Sequence, residues 1–263
     1  MEILEKLKKD DCCGCSSCMQ KCPKGAITMK ENEEGFLYPN IDREKCINCG
    51  LCIKACPQLK NYKVKKENYP KVYAVYNKDF YTLLDSSSGG VFSAIANYVL
   101  ENDGVVIGAV IDEEKEVKHI CINNKKELYK ARGSKYVQSN INNMYKIAQQ
   151  NLKENKKVLF TGTPCQIAGI KAFLEKEYDN LILLDIICHG VPSPKAFNLY
   201  IKNIERIKKT KIKRYYFRTK DKTSDEKMAK IVFENGKVKY IKAGLDSYYN
   251  NFSAGNMFRE RCY

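Results

Sequence analysis

Residues 12–24 read CCGCSSCMQKCPK, and residues 46–57 read CINCGLCIKACP. The first segment contains Cys12-x2-Cys15-x2-Cys18-x3-Cys22-Pro23. The second repeats it as Cys46-x2-Cys49-x2-Cys52-x3-Cys56-Pro57. Two metal chemistries compete for such thiols. Structural zinc usually takes two short Cys/His pairs separated by a longer loop, which four ligands packed into eleven residues suit poorly. A four-iron cubane suits them well. Three cysteines two apart wrap a tight loop around one face of the cubane, with backbone amides aimed at the sulfurs. The fourth follows a three-residue step and starts a helical turn that carries it to a second cluster. The spacing therefore predicts one [4Fe-4S] cluster on Cys12, Cys15, Cys18 and Cys56, and another on Cys46, Cys49, Cys52 and Cys22. Pro23 and Pro57 end the turn after each crossing cysteine. Cys13 falls outside the register and has no assigned task.

Both runs match the bacterial ferredoxin pattern. Between them, GAITMKENEEGFLYPNID predicts a hairpin, with Ala26-Ile27-Thr28-Met29 and Phe36-Leu37-Tyr38 flanking a polar turn that ends at Gly35. Such a hairpin covers the clusters and keeps water from them, which helps to set their potential. Residues 1–62 thus read as an α+β, ferredoxin-like domain carrying two clusters. Residues 63–70, KVKKENYP, read as a charged linker.

These elements must be held by a larger body. The chain has 263 residues, and 44% of them are hydrophobic, enough to bury a core. No apolar run reaches the length of a membrane span, since NLILLDIIC is short and contains Asp185. MEILEKLKKDD lacks the apolar centre of a signal peptide. The expected location is cytoplasmic, where thirteen cysteines serve as metal ligands or redox groups rather than disulfides. The formal charge is +15. Eight cluster thiolates and two oxidised cores would bring it to about +11. The excess is mostly lysine spread along the chain, which reads as a solvated surface that also suits an acidic electron carrier. Nucleic acid is the less favoured partner, although KRYYFRTK interleaves cations with aromatics.

From Lys71 the texture becomes α/β. KVYAVYN is a β-rich run, and LLDSSSGGVFSAIANYVLEN follows as a loop and helix with Val91, Phe92, Ile95, Val99 and Leu100 at helical spacing. GVVIGAVID and VKHICI predict strands. KVLFTGTPCQIAGIKAFLEKE predicts strand, loop and helix, with Thr163 as N-cap, Pro164 at the first helical position and Ile167, Ile170, Phe173 and Leu174 on the apolar face. LILLDIICHGVPSPKAFNLYIKNIE repeats that form. RYYFR and KIVFENGKVKYI predict strands, the latter turning at Asn235-Gly236, and LDSYYNNF predicts a helix start. The loops SSSGG and TGTP each precede a helix, so both could hold an anion, although neither is a Rossmann or Walker motif. Arg132, Lys135 and Tyr136 in ARGSKYVQS add cations beside an aromatic.

Taken together and in order, SSSGGVFSAIA, RGSKYVQS, TGTPCQIAGIK and CHGVPSP, behind a two-cluster ferredoxin segment, resemble the β-subunit family of coenzyme F420 hydrogenases and dehydrogenases. The resemblance spans nearly the whole chain. It implies an α/β flavoprotein domain with a mixed sheet over residues 71–263, expected to be incomplete at its C-terminus. It also implies bound FAD and electron transfer between clusters and a two-electron acceptor. The implied flavin contacts are Ser87, Ser88, Gly89, Gly90, Gly133, Ser134, Lys135, Tyr136, Thr161, Gly162 and Thr163.

Four cysteines lie outside the paired runs. Cys121, in a plain strand, reads as inert. Cys165 lies in the first turn of a helix, where the dipole lowers a thiol pKa. Cys188 ends a strand expected to be buried. Both occupy the carboxyl ends of strands, where α/β proteins build sites. The family resembled continues past an R-x-x-C segment to a further cysteine, and here the segment ends in Cys262. The expectation is a third [4Fe-4S] cluster involving Cys165, Cys188 and Cys262. His189 is expected beside the flavin as a supporting group, and His119 as structural or exposed. No catalytic residue stands out. The reading is an iron–sulfur flavoprotein oxidoreductase acting on an F420-like or other small two-electron substrate. Its expected protein partner is a ferredoxin or a hydrogenase or dehydrogenase subunit. The alternative is a non-catalytic electron-transfer subunit of a larger complex.

Overall fold

The structure is a computed structural model and describes residues 6–59, 70–221 and 227–263. The ferredoxin-like segment holds a short helix α1 (Ser17–Lys21), a hairpin of β1 (Ile27–Glu31) and β2 (Leu37–Ile41), and a second short helix α2 (Leu51–Lys54). The hairpin is antiparallel and pairs Ile27 with Ile41. Both helices start from left-handed backbone. Gly14 and Ser16 precede α1 with φ of 69° and 61°, and Asn48 and Gly50 precede α2 with φ of 52° and 72°. Positive φ at matching places in the two cysteine runs turns successive N–H groups toward one side, the backbone form of an anion nest.

The larger body is built on a four-stranded mixed sheet of order β4-β3-β5-β6. β3 (Val105–Ile111), β5 (Val158–Gly162) and β6 (Leu181–Asp185) are parallel, and β4 (Val117–Ile122) runs antiparallel to β3. Alternation along the strands divides the core. Val105, Ile107, Val158 and Phe160 face helices α5 (Met144–Lys153) and α6 (Pro164–Leu174). Val106, Leu159 and Ile122 face α4 (Val91–Glu101) on the other side. α3 (Phe80–Leu84) precedes α4. A second, antiparallel sheet of β7 (Ile212–Thr219), β8 (Met228–Phe233) and β9 (Val238–Lys242) packs on α7 (Pro194–Lys208) through Phe197, Ile201, Tyr215, Phe217 and Ile231. Its last turn has Gly236 at φ 80°, as Asn235-Gly236 predicts. α8 (Ser247–Ala254) follows.

Several expectations change. Residues 71–77 form no strand, and Val72, Tyr73, Val75 and Tyr76 are exposed. β propensity there finds no neighbouring strand to pair with. The predicted linker lies outside the described residues except for Pro70, as does the boundary at residue 62. In α4 the fully buried face is Ser93, Ala96 and Val99, with Phe92, Ile95 and Leu100 only partly covered. Small residues occupy the closest approach to the sheet and the larger ones flank it. β6 is only half-buried because it is the sheet edge, so Cys188 is exposed rather than closing a buried strand.

Candidate functional site

The folded chain brings cysteines of the two runs side by side. Cys22 from the first run lines one hollow with Cys46, Cys49 and Cys52 from the second, walled by Pro23, Ile27, Ile41 and Leu51. Cys18 lies within electrostatic range of Cys12 and Cys56, and Cys15 within range of Cys18. Cys18 and Cys56 share an apolar cluster with Leu7 and Ile27. The two sites differ in access. Cys49 is exposed, whereas Cys15, Cys18 and Cys56 are buried. Among the described residues no three Cys, His, Asp or Glu side chains converge closely enough to hold a single metal ion.

The inner site carries two marks of an anionic group. Arg259 is fully buried, and among the described residues no carboxylate pairs with it. Its guanidinium donates to Cys12 O at 2.6 Å, Gln138 Oε1 at 3.1 Å and Leu37 O at 3.0 Å, and lies 4.1 Å from the Tyr38 ring centroid. A buried cation without a counter-charge is costly unless something anionic stands nearby, and four cluster thiolates supply that. The Ser17 hydroxyl, between Cys15 and Cys18 in sequence, is buried with no hydrogen-bond partner among the described residues and is free to donate to a sulfur. Ser17 was not singled out from the sequence, and Arg259 entered there only as the arginine of the R-x-x-C segment that ends in Cys262. Arg259 lies 247 positions from Cys12, and no local pattern marks that contact.

The inner site faces the larger body. Gly169 on α6 packs on Cys15, where a Cβ would come within 3.0 Å of Cys15 Cβ and 2.6 Å of the Tyr145 hydroxyl. Gln20 Oε1 accepts from Tyr145 N at 2.9 Å and Lys146 N at 3.3 Å, capping α5 from outside. Lys21 bridges to Glu175 at 2.8 Å and donates to Phe173 O at 2.9 Å. One turn before Gly169 on the same face, Cys165 reaches Cys13. Hydrogen bonds from Cys15 and Cys165 pull Cys13 well below the ordinary thiol range, while Cys13 and then burial push Cys15 and Cys165 well above it. The helix dipole expected to acidify Cys165 is outweighed.

The segments that follow Cys188 and precede Cys262 are joined by backbone pairing. Arg259 N donates to Val191 O at 3.1 Å, Ser193 N to Met257 O at 3.3 Å, and Pro192 bridges Phe258. Cys262 lies within electrostatic range of Cys188, and Cys188 within range of Cys165. Cys121 is half-buried in β4, its thiol pushed up by burial, as an inert thiol would be. His189 is exposed, bonded to Ser253 O at 3.0 Å and set against the edges of Phe252 and Phe258.

The residues expected at a flavin fall into two groups. Ser134 N donates to Ser87 Oγ at 2.8 Å, so the Ser87–Gly90 and Gly133–Tyr136 loops meet. Gly90 starts α4 without a side-chain cap, leaving first-turn N–H groups open to an anion. Lys135 is half-buried overall, but its ammonium end is enclosed, donating to Lys130 O at 3.2 Å and Arg132 O at 2.7 Å, and burial pulls its pKa down to about 7. The uncapped start of α4, in a loop bonded to the Gly133–Tyr136 loop, fits a phosphate. Tyr136 is less available, since it stacks on Phe252 at 4.4 Å and contacts Phe217 and Tyr249. The Thr161–Thr163 loop is satisfied from within. Thr161 O is bonded by His119 at 2.9 Å, Thr161 Oγ1 donates to Ile107 O at 3.2 Å, and Thr163 N donates to Gln166 Oε1 at 3.0 Å. His119 is not exposed but fully enclosed, stacked on Phe160, its pKa lowered to about 4 by burial.

Comparison with known proteins finds the following matches. The family described as coenzyme F420 hydrogenase/dehydrogenase beta subunit matches with its N-terminal part over residues 72–146 and its C-terminal part over residues 155–263. A 4Fe-4S dicluster domain matches residues 11–59, and a second such domain matches residues 38–83. No curated protein matches. A solved structure of the F420-reducing [NiFe] hydrogenase complex from Methanosarcina barkeri, from a xenon-derivatization study, matches at 18% identity with a TM-score of 0.44. The match covers 65% of this chain and 61% of that one. Among the described residues no helix is long and apolar enough to cross a membrane.

Proposed function

This chain belongs to the coenzyme F420 hydrogenase/dehydrogenase beta-subunit family, and from that premise we propose that it is an iron–sulfur flavoprotein oxidoreductase that connects a protein electron carrier to a small two-electron substrate. The observation that carries this reading is an ordered series of thiols. It runs from the set Cys46, Cys49, Cys52 and Cys22, in which Cys49 is exposed, through the set Cys12, Cys15, Cys18 and Cys56, in which all but the half-buried Cys12 are buried, to Cys165 on the larger body.

The clusters, when bound, supply one-electron storage at each set. The chain's residues do the rest. The outer set presents its cysteines where a partner protein can approach, and lysines near it, Lys24 and Lys45, suit an acidic carrier. The inner set is shielded from water, with Arg259 balancing its charge. Cys165, Cys188 and Cys262, with Cys188 in electrostatic range of the other two, are the candidate holders of a third cluster.

FAD, when bound, supplies the conversion between one-electron and two-electron transfer. Lys135, the first-turn amides of α4 and the Ser87–Gly90 backbone would hold its phosphates. Lys220 supports that loop by donating to Ser88 O at 2.8 Å and Leu83 O at 3.0 Å. The substrate suggested by the family is an F420-like deazaflavin.

The test is anaerobic reconstitution with iron, sulfide and flavin, followed by an acceptor screen with reduced ferredoxin as donor. Retained flavin and acceptor reduction support the enzyme. Full clusters with no retained flavin would replace it with an electron-transfer subunit.

A further inference from the structure

Residues 71–77, KVYAVYN, have the composition of a strand and form none. Val72, Tyr73 and Tyr76 are 72–89% exposed, and Ala74 and Val75 are exposed with them. Among the described residues, residues 71–76 make no backbone–backbone hydrogen bond. The far end of the segment is nonetheless fixed. Asn77 N donates to Gly89 O at 2.7 Å, and a Cβ on Gly89 would come within 2.5 Å of Val75 O. A strand-like segment with its N–H and C=O groups turned to solvent is an open template for another strand.

The apolar face continues beyond the segment. Asn77 ties it to the next two stretches, since Nδ2 donates to Gly90 O at 3.4 Å and Oδ1 accepts from Asp79 N at 2.9 Å. On α3, Phe80 and Tyr81 meet edge to face at 6.1 Å and are 63% and 77% exposed, and Leu84 and Val91 are exposed as well. An aromatic side chain offers roughly 150–250 Å², so four exposed rings with Val72, Val75, Leu84 and Val91 present an area on the order of the 800 Å² that each partner buries in a standard interface. Monomers rarely leave so large an apolar face to water.

The order of the residues indicates what covers this face. Consider an antiparallel pair formed by the segment and its own copy, with the two-fold axis at Ala74. Val72 of one copy then faces Tyr76 of the other, Tyr73 faces Val75, and Lys71 faces Asn77. Every pair next to the axis joins an aromatic ring to a β-branched side chain, a combination that stabilises cross-strand neighbours. No like charges stand opposite one another, and Pro70, which lacks an N–H, ends the pairing. A strand from a different subunit would have to supply that match, whereas a second copy carries it.

We propose that residues 71–77 become a strand when two copies of this chain associate, pairing antiparallel with the same residues of the second copy and burying the exposed face of α3 beside them. The pairing rests on neither the flavin nor the third cluster.

Sedimentation velocity of the anaerobically reconstituted protein should give twice the chain mass. Ala74→Pro removes a central N–H, and Tyr73→Ser combined with Val75→Ser removes the matched side chains. Both variants should sediment as single chains with wild-type iron content and circular dichroism, because these side chains are exposed within one chain. Leu245→Ser, at a residue 79% exposed outside the segment, should remain a dimer. The register is read by mixing isotopically labelled and unlabelled copies and treating them with an amine cross-linker. Lys71 of one copy should join Lys78 of the other, which stands one step from it, whereas the two copies of Lys71 lie at opposite ends of the pair. A wild type that sediments as a single chain at every concentration would overturn the proposal and leave the face to a different subunit. A dimer that survives both variants, or one joined mainly from Lys71 to Lys71, would overturn it too.

Discussion

Arg259 donates to the carbonyl of Cys12 at 2.6 Å, and this bond ties the last segment of the chain to the first cysteine of the inner site. The same guanidinium reaches Leu37 O in the hairpin and Gln138 in the larger body. One side chain therefore holds three separate parts of the structure against the inner cysteine set. The planar fork is what allows this, since three directions are served at once, and a lysine in its place would serve one point.

Arg259→Leu should destabilise the protein by about 3–5 kcal/mol, because it leaves the Cys12 and Leu37 carbonyls without their donor in a buried place. Arg259→Lys should recover little of that loss. The inner centre should also move to a more negative potential, since a nearby positive charge is gone. Denaturant unfolding of the reconstituted protein and a redox titration measure the two effects. An unchanged potential would show that the cation serves structure alone.

How much of this was legible in the sequence depends on the range of each contact. The cysteine runs, the hairpin between them, Thr163 with Pro164 and the Asn235-Gly236 turn are local, and the folded chain keeps each of them. Arg259, Gln20 and Gly169 are ordinary residues in one dimension. They matter because folding places them against the cysteine loop, and no periodicity records that. Cys13 was visible, but its register excluded it from both ligand sets, and only the approach of Cys165 gives it a setting. The run at residues 71–77 failed in the opposite way, with strand-like composition and no strand to pair with.

With FAD held as proposed, Lys135 should make flavin binding depend on pH. Burial lowers its pKa to about 7, against an unperturbed value of about 10.4. Its charged form attracts a phosphate, so flavin affinity should be greatest below pH 7 and fall as pH rises through 7. In Lys135→Met the affinity should be weaker and flat over that range. The folded chain without flavin should show the linked effect. Between about pH 7 and 10 the unfolded state holds the proton that the folded state has lost, so Lys135 makes stability rise with pH there. Fluorescence titration of flavin between pH 6 and 9 checks the first effect. A profile in Lys135→Met identical to wild type would place the phosphate elsewhere.

Gly169 tests the contact between α6 and the inner site. In Gly169→Ala the new methyl would stand 2.6 Å from the Tyr145 hydroxyl and 3.0 Å from Cys15 Cβ, both in packed surroundings. Overpacking of this kind should cost about 1–3 kcal/mol. The loss should fall first on the inner centre, because Cys15 must retreat. Gly244→Ala is the matched control, with nothing within 4 Å of the added methyl. Thermal unfolding together with iron content after mild chelation distinguishes them, with Gly169→Ala losing iron sooner and Gly244→Ala matching wild type.

The crossing of the two cysteine runs gives the sharpest test of the cluster sites. Cys22 belongs to the first run by sequence but lines the hollow of Cys46, Cys49 and Cys52. Cys56 belongs to the second run but is buried within electrostatic range of Cys12. Cys22→Ala should therefore release the outer centre, and Cys56→Ala the inner one. Ligated thiolates resist alkylation, and free ones do not. After anaerobic treatment with an alkylating reagent and mass mapping, Cys22→Ala should be modified at Cys46, Cys49 and Cys52, with Cys12, Cys15, Cys18 and Cys56 protected. Cys56→Ala should leave Cys46, Cys49, Cys52 and Cys22 protected. The inner thiols need a denaturing step to show the same labelling, because Cys15 and Cys18 are buried in the folded chain. The reverse pattern would mean that each run closes its own site. The exposed hollow would then lose its fourth ligand, and Cys22 would have to turn inward past Ala26, whose N–H now donates to its sulfur at 3.3 Å.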